Sequence, residues 1–120
     1  MTEDIAKFYD ALSELIKSFE QKNVTLKMMQ DLDSDIVKIY GERSSALTRA
    51  KAGLDEVAEL AYDTAEHHPY WNLLYDGSQI LKIVLEKWNE NLTEDELKEI
   101  KWYAEKIKDA TETVSENHHH

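Results

Sequence analysis

"VTLKMMQDLDSDIVKIYGER", residues 24 to 43, decides the fold. Read as a ribbon, it is a hairpin: "VTLKMMQ" and "DIVKIYGER" flank the turn-like "DLDSD". Read as a coil, it opens a long amphipathic helix. Alternation is imperfect in both arms, because Met28 and Met29 are neighbours, as are Ile36 and Val37. The helical reading extends further. Met29, Leu32, Ile36, Ile39, Leu47, Ala50, Leu54, Val57 and Ala61 keep within an arc of about 100° at ~100° per residue. "DLDSD" then divides a short helix from a long one, with Asp33 or Ser34 as cap. Ala46, Ala50 and Gly53 leave room for a close partner helix.

The flanking segments carry the same signal. Ile5, Phe8, Leu12, Leu15 and Phe19 alternate at spacings of three and four, one helical stripe ending near "QKN" at 21 to 23. Thr2 is placed to cap it, and Glu3 and Asp4 suit its positive dipole end. Residues 69 to 90 repeat the conflict. Trp71, Leu74, Ser78, Leu81, Leu85 and Trp88 form a stripe, and Pro69 suits a first helical turn. Asp76-Gly77 is a hairpin signal against it. The last segment is clearest. Thr93 and Glu96 make a capping box, flanked by Leu92 and Leu97 as a staple. Leu97, Ile100, Ala104, Ile107, Thr111 and Val114 then follow one face. The pattern predicts an all-α antiparallel bundle of about four helices in one domain over 1–117, with α+β as the rival. His118, His119 and His120 read as a tag remnant and are set aside.

Composition narrows the function. No cysteine is present, which excludes disulfides and thiolate chemistry. The net charge of -11 opposes a phosphate backbone, so nucleic acid is not an expected partner. No apolar run reaches the ~20 residues of a membrane span. The expected setting is cytoplasmic, with no membrane and no cofactor.

Four groups of residues are candidates for chemistry or binding. His67 and His68 precede the chain's one proline, with Asp63 four residues before His67. They read either as an acid–base pair or as the close of a helix, where histidine suits the negative dipole end. Glu56, Glu59, Asp63 and His67 fall at spacings of three, four and four. That is a weak metal set of the kind held by metal-dependent phosphohydrolase bundles, and otherwise a solvated face. Arg43 interrupts the long stripe and is expected to reach water at its edge. Trp102 and Tyr103 are adjacent, so a helix cannot bury both, and an exposed tryptophan is a common interface anchor.

The stretch "DTAEHHPYWNLLY", with Asp63, His67, His68, Pro69 and Tyr75, resembles the signature of pterin-4a-carbinolamine dehydratases. "VAELA" at 57 to 61 and "LTEDE" at 92 to 96 fall near similar stretches of that family. The resemblance implies helix, two strands, helix, two strands, helix. It also implies proton transfer by His67 and His68 during loss of water from a hydroxylated pterin, with Asp63 and Glu96 as acidic companions. Trp88 stands nearest to where the family has a third histidine. The residues themselves favour a non-enzymatic bundle that acts by binding a protein partner or its own copy, through Trp102, Tyr103 and Arg43.

Overall fold

The computed structural model describes residues 2–21, 34–88, 90 and 92–118. They form four helices: α1 (Thr2–Gln21), α2 (Ser34–Tyr62), α3 (Pro69–Glu86) and α4 (Glu94–His118). No strand occurs among the described residues.

The hairpin readings, and the dehydratase-like α+β fold they supported, are therefore corrected. Residues 24–33 lie outside the described residues, but 34–43 begin α2 and 71–86 belong to α3. Burial gives the reason. Ile36, Ile39 and Arg43 are buried, whereas Val37 is 40% exposed. A pleat would place Val37 and Ile39 on one face, and the helical pitch separates them. The long helix starts at Ser34, and Asp33, the other expected cap, lies outside the described residues. Asp-Gly does not turn the chain at 76–77, because α3 runs through it unbroken.

Each helix runs antiparallel to the next. Along α1 and α2, Ser18 meets Arg43, Glu14 meets Arg49, and Phe8 meets Gly53. Along α2 and α3, Tyr40 meets Trp88, Leu54 meets Gly77, and Tyr62 meets Trp71. Asp76 on α3 pairs with Lys106 on α4, and Lys101 on α4 pairs with Glu20 on α1. The four helices thus close a ring, α1 to α2 to α3 to α4 and back to α1.

One apolar cluster draws on all four helices, from Ile5 and Phe8 through Val57 and Leu73 to Ile100 and Ile107. Phe8 is its keystone. A Cβ on Gly53 would stand 2.8 Å from Phe8 Cδ1, and a Cβ on Gly77 would stand 2.5 Å from Phe8 Cζ. Two glycines on two helices make the slot for one ring. The same slot rotates α3 relative to its expected stripe. Its buried line is Tyr70, Leu73, Gly77, Ile80, Leu81 and Val84. Trp71, Leu74 and Trp88 lie half-buried at the margin, and Leu85 is 44% exposed. Only the face carrying Gly77 is low enough to meet Phe8.

The capping box at the start of α4 forms as the sequence implies. Thr93 N donates to Glu96 Oε1 at 2.9 Å, and Glu96 N donates to Thr93 Oγ1 at 3.1 Å. The Thr93 backbone N–H holds the Glu96 carboxyl below its ordinary range, against slight desolvation.

Candidate functional site

Arg43 does not reach water at the stripe edge. It is fully buried, and its guanidinium lies 3.7 Å over the Phe19 ring. Nε donates to Ser18 Oγ at 3.1 Å and Nη2 donates to the Ser18 carbonyl at 2.9 Å. Ser18 Oγ in turn donates to Leu15 O at 2.6 Å. Burial pulls the Arg43 pKa down to about 10, with Tyr40 partly opposing. The correction has a local cause. Ser18 lies in the last turn of α1, where helix carbonyls have no partner within the helix, and its carbonyl accepts from the guanidinium. Arg43 is therefore a tie between α1 and α2. Outside it runs an open α1–α2 groove of about 640 Å³, lined by Glu14, Lys17, Ser18, Glu42 and Arg49 among others, with Arg49 and Glu14 ion-paired.

The histidine pair takes a different structural role from either expected one. α2 ends at Tyr62, so His67 and His68 do not close it. Instead His68 caps α3: its Nδ1 accepts from Tyr70 N at 3.1 Å, and Pro69 follows in the first turn. An accepting Nδ1 places the ring proton on Nε2. His68 also packs on Tyr70, ring centroids 4.3 Å apart. His67 is exposed. Asp63 follows the end of α2, and Glu96 is engaged at the far end of α3's connection to α4. The four residues named by the dehydratase resemblance are thus divided between a turn and a capping box.

The acidic set is not assembled either. Glu56 and Glu59 are exposed on α2, while Asp63 and His67 leave its helical register. Among the described residues, no three His, Asp or Glu side chains come close enough to hold a metal ion.

Trp102 and Tyr103 divide as adjacency requires. Tyr103 is buried and Trp102 is 57% exposed. Their rings meet at 5.0 Å. Lys106, one turn on, sets its Nζ 4.6 Å over the Trp102 ring and 5.8 Å from that of Tyr103. The same Nζ is 3.3 Å from Asp76 Oδ1. Asp76 is almost wholly buried, and burial raises its carboxyl above the ordinary range, with Lys106 opposing.

Asp76 and Lys106 were missed by sequence reasoning. Asp76 was legible only as half of a turn signal. Its signal as a helical residue is its position beside Gly77, the point of closest helix approach. Exposed Tyr62 was missed as well, and Tyr75, named only through the dehydratase-like signature, is exposed; both stand outside every stripe.

No protein-family model, no curated protein and no solved structure matches this chain.

Proposed function

We propose that this bundle is a non-enzymatic interaction module that binds a protein partner or a second copy through α4, with Trp102 as the anchor. One observation carries it. Trp102 exposes a large ring to water, yet that ring is already braced by Lys106, which Asp76 holds from behind. A braced aromatic loses little freedom on binding, and buried tryptophan is among the strongest interface contacts. Tyr103 fixes the same turn to the core.

Two measurements test the reading. Light scattering across a concentration series reports self-association, and capture on the immobilised chain reports a partner. Trp102→Ala is expected to weaken self-association, or capture of a partner that docks on α4, by at least about tenfold, the effect of 1.4 kcal/mol. Its half-exposed position leaves the fold intact, which circular dichroism checks. Self-association or partner capture at full strength in Trp102→Ala, or a chain that stays monomeric and captures nothing, defeats the proposal.

A further inference from the structure

The outer face of the α2–α3 pair has its own composition. Asp55, Glu59 and Tyr62 recur at intervals of four and three on α2, all exposed. Trp71 and Tyr75 recur at an interval of four on α3. Tyr62 and Trp71 meet edge to face at 5.3 Å and 84°, which joins the two rows across the helix pair. Tyr62 is 73% exposed and Tyr75 58%. They are the two most exposed large apolar side chains among the described residues. Between Lys51 and Lys82 there is no lysine or arginine, while Asp55, Glu56, Glu59, Asp63, Glu66 and Asp76 all fall there. Elsewhere Glu3 pairs with Lys7, Glu14 with Arg49 and Glu20 with Lys101. Asp76 is buried against Lys106, but the exposed Asp55 and Glu59 make no ion pair among the described residues.

We infer that the outer α2–α3 face docks a lysine- or arginine-bearing segment of a partner protein. Tyrosine rings attract cations to their faces, and two flanking carboxylates strengthen that attraction. A second copy of this chain is a poor occupant, because each copy carries a net charge of -11 and the face itself is acidic. A polypeptide fits better than a simple polyamine for a separate reason: the exposed Tyr62 and Tyr75 rings offer apolar area that the side chains of a peptide cover and a polyamine leaves in water. The inference rests on reading the chain as an interaction module, but not on Trp102, which lies on α4.

The test uses the whole chain, a short arginine-rich peptide, an acidic peptide of the same length, and spermine. Amide and side-chain chemical shifts are followed during titration. Shifts confined to Asp55, Glu59, Tyr62, Trp71 and Tyr75 are expected with the basic peptide alone. Tyr62→Ala and the double variant Asp55→Asn/Glu59→Gln should each weaken binding about three- to tenfold, and Trp102→Ala should leave it unchanged. Tyr75→Ala gives a second aromatic variant with no ring contact to Trp71 to lose. Three results would overturn the inference: shifts spread evenly over all acidic surfaces, spermine binding as well as the peptide, or full affinity in both tyrosine variants. Loss of binding in Trp102→Ala would overturn it as well, moving the site to α4 and leaving the interaction reading intact.

Discussion

At the scale of single residues, the bundle contains two buried charges with opposite uses. Arg43 is satisfied by a helix carbonyl and a hydroxyl and stacks on an aromatic ring. It ties α1 to α2 near their connection. Asp76 has a more exposed partner, since the Lys106 side chain is 44% accessible. Water therefore screens the attraction that should offset the burial of the carboxylate. The pH dependence follows from the direction of its shift. Burial raises the folded-state value above that of the unfolded chain. Between the two values the folded chain binds more protons, so this contribution to stability declines as pH rises, then levels off. Asp76→Asn removes it. In urea unfolding from about pH 4 to pH 7, the variant should gain on the parent as pH rises. A gap that stays constant with pH would show that Asp76 ionises as readily folded as unfolded. Glu96 works in the other sense: its stabilisation holds above the ordinary carboxylate range and fades as pH falls through its depressed value. Because Asn and Asp at 76 share the same Glu96, the comparison cancels it.

At the scale of helices, three glycines separate propensity from packing. All three lie within helices. Gly41 has nothing within 4 Å of a would-be Cβ, whereas Gly53 meets Phe8 Cβ at 3.0 Å and its Cα at 3.2 Å. Gly41→Ala should stabilise by about 1 kcal/mol, the propensity gain alone. Gly53→Ala should lose about 1–3 kcal/mol, because the Phe8 backbone must retreat. Thermal melts should rank Gly41→Ala above the parent and the parent above Gly53→Ala; the reverse order would remove Phe8 from its keystone position. The same residues explain what could be read beforehand. The stripes of α1 and α4 were legible because each helix has one apolar line and ordinary end signals, Thr93 and Glu96 above all. α3 was harder. Its apolar residues come in pairs, Ile80 with Leu81 and Val84 with Leu85, so two lines compete. The choice between them is made by Phe8, some seventy positions away in the chain. Asp76-Gly77 was misleading for the same reason: the glycine serves a contact, not a turn. The histidine pair could be recognised as punctuation, but not which helix it punctuates, since the end of α2 at Tyr62 carries no glycine or proline.

At the scale of the whole molecule, the ring of helices measures 53 × 25 × 21 Å. It presents two different exteriors: the braced tryptophan on α4, and the tyrosine-and-carboxylate face of α2 and α3. Neither depends on the buried polar tie at Arg43, so both stand on a frame fixed elsewhere. The absence of lysine and arginine between positions 51 and 82 also has a practical result. Trypsin has no cleavage site from the latter half of α2 through most of α3. Complete digestion of the unfolded chain should leave the piece spanning residues 52 to 82 uncut, whatever happens to its flanks. Should that fragment keep its helicity once purified, the antiparallel pair it contains is an autonomous folding unit; should it collapse to coil, the ring from α1 is what holds the pair together.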